Sequence, residues 1–179
     1  VGTNVFFQAY HPNTGAELWK SDGTANGTKL VADILPGIGS SIPRKLTATQ
    51  NGVFFEATDG VHGRELWFST GTTESTQLVQ DIHPGSSGSN PEQLTYDGTA
   101  LYFVGSSADG RGLWHQATYS SAELLHLDVA QASTSAGISE RTPVGSVLYF
   151  QSSDSLHGAE VWQTDGSEGG TGMMRDVRP

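Results

Sequence analysis

Residues 17–37 read ELWKSDGTANGTKLVADILPG, and residues 65–85 read ELWFSTGTTESTQLVQDIHPG. The two stretches share ELW, a GT pair, LV and the closing D-I-x-P-G at the same spacing, so the chain repeats itself. Working outward, the four tryptophans Trp19, Trp67, Trp114 and Trp162 lie 48, 47 and 48 residues apart. A glycine stands four positions before each (Gly15, Gly63, Gly110, Gly158), an aspartate fourteen after each (Asp33, Asp81, Asp128, Asp176), and a phenylalanine eleven or twelve before each (Phe7, Phe55, Phe103, Phe150). Four residue types in step over four copies define a unit of about 48 residues. The units fall at about 1–44, 45–92, 93–140 and 141–179, within a single domain spanning 1–179.

Inside a unit the pattern is that of strands. VFFQA, VFFEA, ALYFV and VLYFQ form one strand, and ELWKS, ELWFS, GLWHQ and EVWQT the next. TKLVADI, TQLVQDI, AELLHLDV and TGMMRDV form another, and KLTAT and QLTYD precede the hairpin turns Asn51-Gly52 and Asp97-Gly98. No 12-residue stretch holds a 3.6-residue apolar period, which predicts essentially no helix. Four short antiparallel strands per 40–50 residues predict an all-β fold, a β-propeller of four blades. One Leu-Thr strand is missing overall, since three copies can be placed, near Leu46, Leu94 and Thr142. Either the ring closes with a three-stranded blade, or the chain is a piece of a longer array. The start in mid-blade and the end at Asp176-Val177-Arg178-Pro179 favour the second.

Composition narrows the function. The chain has 9 basic and 19 acidic residues, a formal net charge of -10, and no cysteine. Its three lysines and six arginines are scattered, so it offers no footprint for a phosphate backbone, and nucleic acid is not an expected partner. No apolar run reaches the roughly 18 residues of a membrane-spanning helix. Without cysteine, disulfides, thiol catalysis and Cys-ligated zinc fall away. The first residue is not Met and no signal peptide precedes it, which suggests a mature or excised segment.

The segment ELWKSDGTANGTKLVADILPGIGSSIPRKLT resembles the ELWxxDGT repeat of large secreted bacterial proteins, and the resemblance extends over the whole chain. Unit one carries Glu17, Leu18, Trp19, Asp22, Gly23, Thr24, Gly27, Thr28, Asp33, Ile34, Pro36 and Gly37. Unit two has Thr70 where the pattern has Asp, unit three has Gly112 for the Glu and HQATYSSA for the turn, and unit four keeps Glu160, Trp162, Asp165, Gly166, Gly170, Thr171, Asp176 and Pro179. The resemblance implies export, a cell-surface or extracellular setting and a propeller-like assembly of sheets.

The candidate residues follow. Trp19, Trp67, Trp114 and Trp162 fit either packing between sheets or a series of sugar-stacking platforms. Strand alternation puts Glu17 on the face of Trp19, where a buried carboxylate needs a partner such as a neighbouring blade's amide. Asp33, Asp81, Asp128 and Asp176 are expected to fix the turn to the next blade by accepting amides; ringed around an axis they would instead hold a hard cation such as Ca²⁺. Asp22 and Asp165 sit in SDGT and TDGS turns. The loop residues Asp59, His62, Arg64, Asp154 and His157 form a candidate polar rim, because loops carry binding on a rigid scaffold.

The histidines lack HExxH and i, i+4 spacing, so no zinc site is expected. The G-x-S-x-G elbow is absent, and no Ser–His or paired-carboxylate constellation stands out. The expectation is therefore an adhesion or binding module that recognises a glycan or a protein surface through blade loops, without a cofactor. A glycan-active hydrolase or lyase and a structural self-assembling repeat, associating through open sheet edges, are the alternatives.

Overall fold

The structure, a computed structural model, describes residues 1–117, 122–127, 138–154 and 156–177, with only the backbone described at His126, Leu127 and Asp154. The first sheet holds β1 (Val5–His11), β2 (Gly15–Ser21) and β3 (Lys29–Ala32). The second holds β4 (Arg44–Ala48), β5 (Val53–Thr58), β6 (Arg64–Ser69) and β7 (Gln77–Gln80). The third runs β8 (Glu92–Tyr96), β9 (Ala100–Ser107), β10 (Gly110–Ala117) and β11 (Glu123–Leu127). The fourth runs β12 (Ser139–Val144), β13 (Val147–Asp154), β14 (Gly158–Thr164) and β15 (Gly172–Arg175). In every sheet the strands lie side by side in chain order, all antiparallel. These are the four expected blades, with the first lacking its Leu-Thr strand. Among the described residues there is no helix, and none therefore is long and apolar enough to cross a membrane.

Repetition extends to the register. Each Trp faces a Phe across the central strand pair: Phe7↔Trp19, Phe55↔Trp67, Phe103↔Trp114 and Phe150↔Trp162. On the other side of the Trp strand, the ladder slips just before the Trp in all four blades, at Leu18/Trp19, Leu66/Trp67, Leu113/Trp114 and Val161/Trp162. A bulge at one fixed place adds twist to each sheet.

The chain divides into two compact units, Val1–Glu92 and Gln93–Pro179. In the first unit, Leu18, Val31, Ala32 and Ile34 of blade one pack with Val53, Phe55, Ala57 and Trp67 of blade two. In the second, Tyr102, Val104, Leu113 and Leu125 of blade three pack with Ile138, Leu148 and Phe150 of blade four, and Trp162 lies against them. Each core thus forms between consecutive blades, the Trp of the later blade facing the earlier one. Trp67 and Trp114 are buried, while Trp19 and Trp162 are half-buried.

The glutamate of ELW joins the blades. Glu17 is fully buried, and its Oε1 accepts the Ser41 amide at 2.8 Å while Oε2 accepts the Ile34 amide at 3.1 Å and the Ser41 hydroxyl at 2.5 Å. Glu65 does the same for the His83 amide at 3.2 Å, the Ser89 amide at 2.7 Å and the Ser89 hydroxyl. Glu160 accepts the Val177 amide at 3.2 Å. The partners are not a neighbouring blade's amides, as expected, but amides of the same repeat unit, in the segment that leaves its last strand. Close approach is completed by the repeated glycine: a Cβ on Gly63, at φ 70°, would sit 2.5 Å from the Gly88 nitrogen.

The turn after the Trp strand is also structural. Asp22 Oδ1 accepts the Thr24 amide at 2.9 Å and the Thr24 hydroxyl at 2.7 Å, and Asp165 Oδ1 accepts the same groups of Ser167 at 3.0 and 2.7 Å. A Cβ on Gly27 or Gly170 would fall about 2 Å from that carboxylate, at 1.9 and 2.0 Å. Blade two has Thr70 for the Asp and Ser75 for the Gly, and there Ser75 Oγ accepts the Thr70 and Thr72 amides, both at 3.2 Å. The acceptor has moved from one side of the turn to the other. Thr70→Asp and Ser75→Gly should each destabilise blade two alone and offset one another together, with a coupling of about 1 kcal/mol in a urea-unfolding double-mutant cycle. This turn also docks its blade: Lys20 Nζ donates to the Gly71 carbonyl at 2.5 Å and Thr73 Oγ1 to the Val31 carbonyl at 2.7 Å.

Candidate functional site

The β5–β6 corner of blade two gathers the polar side chains. Asp59 follows β5, and its Oδ1 accepts the amides of Val61 at 2.9 Å and His62 at 3.0 Å, an Asx turn that Gly60 lets close at φ 84°. Its Oδ2 lies 2.7 Å from His62 Nδ1. Burial alone would push the Asp59 carboxyl up, but the amides of His62 and Val61 and the His62 ring outweigh it and hold it below the usual range. The hydrogen bond that His62 donates to Asp59 raises the ring in turn.

Beside this pair, Glu56 on β5 is buried between two cations. Arg64 Nη1 donates to its Oε1 at 3.1 Å, and Lys45 Nζ lies 2.7 Å from its Oε2 while also donating to the Pro91 carbonyl at 2.8 Å. Arg64 sits across the strand pair, opposite Thr58, and Lys45 arrives from β4 in a bulge between Arg44 and Thr47, with φ 55°. A left-handed non-glycine residue is held at some cost in backbone strain. Gln93 and Glu140 hold the equivalent positions in blades three and four with the same left-handed backbone, at φ 54° and 47°, and Glu140 also lies in a bulge, between Ser139 and Thr142. The bulge is thus a repeat feature, but the ion cluster is not. Gln8, Val104 and Gln151 stand in the place of Glu56, and Ala16, Arg111 and Ala159 in that of Arg64.

Of the residues expected to bind, Asp59, His62 and Arg64 come together here. Asp154 and His157 occupy the corresponding β13–β14 corner of blade four, where the backbone of Asp154 pairs with Gly158. Asp22 and Asp165 lie in the next connection along their own sheets, at the opposite end from these corners, with Oδ1 engaged in the turn. In the aspartate series, Asp33 Oδ2 accepts the Gly37 amide at 3.4 Å, a long contact, and the buried Oδ1 atoms of Asp33 and Asp81 have no hydrogen bond among the described residues. The glutamates Glu17, Glu65 and Glu160 carry most of the amide-accepting role foreseen for the aspartates. Asp128 lies outside the described residues. Among the described residues no three His, Asp or Glu side chains gather as metal ligands would.

Sequence reasoning passed over Glu56 and Lys45. Both stand at positions that vary from unit to unit (Lys45, Gln93, Glu140; Gln8, Glu56, Val104, Gln151), so the repeat offered no signal for them. Sequence reasoning also passed over Arg141 of blade four, which takes the place Leu46 has in blade two. Its buried Nε and Nη1 have no hydrogen-bond partner among the described residues, and burial together with the charge of Arg111 pushes its pKa down to about 10.

A pH test isolates the Asp59–His62 pair. Because the folded pKa of His62 is raised, its contribution to stability is complete below about 6.5 and is lost as pH rises through the folded value. Asp59 works oppositely, contributing above about 3.9 and losing its contribution as pH falls through its lowered value. An NMR titration should place His62 above 6.5, and Asp59→Asn should return it towards that value.

No family model matches the chain, and no curated protein matches it. Among solved structures, the chain is similar to the crystal structure of TolB from Acinetobacter baumannii, with a TM-score of 0.50 and 12% sequence identity. The match covers 96% of this chain and 41% of TolB, so the chain spans less than half the length of that structure. At this identity the likeness concerns the fold, which is that of a β-propeller.

Proposed function

We propose that this chain is an exported binding or adhesion module of the ELWxxDGT-repeat type, which holds a glycan or a protein surface with the loops that follow the second strand of its blades. The observation that supports this is the Lys45–Glu56–Arg64 cluster beside Asp59 and His62, a combination that the equivalent positions of the other blades do not carry, although Arg111 recurs in blade three and Asp154 and His157 in blade four. A repeat preserves what the fold requires; a polar cluster confined to one blade serves something outside the fold. Glu56 and Asp59 balance Lys45 and Arg64, so the partly exposed corner carries a positive charge when His62 is protonated, and a protonated His62 beside Arg64 suits an acidic sugar or an acidic side chain. Secretion or display at the cell surface follows from the resemblance in the repeat.

A glycan array probed with the full chain, in calcium and in chelator, tests the proposal. Binding of one class of acidic glycan is expected, reduced at least about tenfold by Arg64→Ala, which corresponds to about 1.4 kcal/mol. An array without hits, or hits indifferent to Arg64→Ala and His62→Ala, would remove the corner from consideration.

A further inference from the structure

The second unit holds a cation that the fold leaves unanswered. Arg141 belongs to β12, and its Nε and Nη1 are buried without a hydrogen-bond partner among the described residues. It forms no ion pair among them either. Buried polar groups are almost always partnered, and a charged donor left without an acceptor is the most costly case.

The repeat shows where this guanidinium lies. Its equivalent in blade two is Leu46, which packs on the cluster containing Phe55 and Trp67. Arg141 inherits that inward position. Glu140 takes the left-handed place in the bulge and Thr142 pairs with Tyr149, so Arg141 falls on the face of Phe150 and Trp162. That face packs on Tyr102, Val104 and Leu113 of blade three.

The facing wall brings a second cation. Arg111 of β10 stands two residues before Leu113, on the face that Leu113 turns to blade four. Burial and the charge of Arg111 together lower the Arg141 guanidinium. The same position in blade two is Arg64, which is met by the carboxylate of Glu56 on the neighbouring strand. In blade three the place of Glu56 is taken by Val104, 1% exposed and part of the core. Blade three thus withholds the carboxylate that blade two supplies, and blade four adds a guanidinium where blade two has leucine. Of the nearby acids, Asp109 and Glu140 are exposed, and the buried Glu160 accepts the Val177 amide.

We propose that the interface between blades three and four is an anion site, where Arg141, with Arg111 on the opposite wall, holds an oxyanion group of a ligand: a carboxylate, sulfate or phosphate. Such a group is rich in acceptors, and its oxygens match the N–H donors of a guanidinium. Placed between two arginines, it offsets their repulsion and supplies the acceptors that the chain does not. The apolar surroundings of Val104 and Phe150 strengthen the pairing by lowering the local dielectric. Arg141 as a whole is only half-buried, which leaves a route from solvent. The proposal does not depend on what the corner of blade two binds, because its test reads simple ions at residues of the second unit.

The full chain, labelled with ¹⁵N-arginine, is titrated with sulfate, phosphate or acetate at an ionic strength held constant with chloride. The reading is the Arg141 Nε–H resonance, assigned by its loss in Arg141→Leu. At least one of the three anions should shift it saturably, with half-saturation at or below about 10 mM, and the tightest of them names the group. Binding should weaken at least tenfold in Arg111→Gln. Urea unfolding gives a second reading. Sulfate and phosphate stabilise folds in general by exclusion from the surface, so the wild type must gain more from the anion than Arg141→Leu does. In chloride alone, Arg141→Leu should be at least as stable as the wild type, since it restores the residue of blade two. A loss of stability there would mean that the guanidinium already has its partner within the chain, and would overturn the proposal. So would an equal shift in chloride, no response up to about 100 mM anion, or an Arg111→Gln chain that binds as the wild type does.

Discussion

Glu65→Ala should destabilise the first unit by about 3 kcal/mol or more, because it strands donors that have no route to water. The carboxylate is fully buried and receives the amides of His83 and Ser89 and the Ser89 hydroxyl, while Ser89 itself is fully buried. Each unsatisfied buried donor costs about 1–3 kcal/mol, and water admitted to the new cavity recovers part of it. Glu65→Gln keeps one acceptor but turns an NH₂ towards groups that only donate, and so should lie between the wild type and Ala. Burial pushes the carboxyls of Glu65 and Glu17 up, against hydrogen bonds that pull them down. Since the folded pKa exceeds the unfolded one, each residue's contribution is complete below about 4.3 and is lost as pH rises through the folded value. Urea unfolding should show wild-type stability rising relative to Glu65→Gln as pH falls through the raised folded value of Glu65. A difference that stays constant with pH, or an Ala variant as stable as the wild type, would show that Glu65 does not tie blade two to the chain beyond it.

The same glutamate shows where sequence reasoning reaches its limit. The periodicity of Trp, Gly, Phe and Asp was enough for four antiparallel sheets and the absent first strand, because strand alternation and turn chemistry are local. The division of labour between Glu17 and Asp33 was not legible. Both are repeated carboxylates, and which of them collects the amides of Ile34 and Ser41 depends on how the chain folds back after β3. Position along a strand does not report that path. The corner at Asp59 was half legible. Asp59, His62 and Arg64 stand close in sequence, but Lys45 joins them only through the β4 bulge and Glu56 only through cross-strand register. The turn of blade two is a third case: the sequence shows Thr70 where the pattern has Asp, but only the folded turn shows Ser75 supplying the acceptor from the other side.

The second large effect is expected at Trp67, and its sister Trp19 makes the measurement informative. Trp67 is 9% exposed and packs with Phe55 and with Leu18, Val31 and Ile34 of the preceding blade. Trp67→Ala should therefore cost about 3–5 kcal/mol, from lost transfer energy plus a cavity that strands on both sides cannot close. Trp19 holds the same position in the repeat and pairs with Phe7 as Trp67 pairs with Phe55, yet it is only half-buried. Less area leaves water when it folds, so Trp19→Ala should cost less than Trp67→Ala. Both variants lie in the Val1–Glu92 unit, so urea unfolding compares them against one background. Equal losses would mean that exposure is the wrong measure of what the Trp does. A near-neutral Trp67→Ala that abolished glycan binding would move the indole from the core to the ligand.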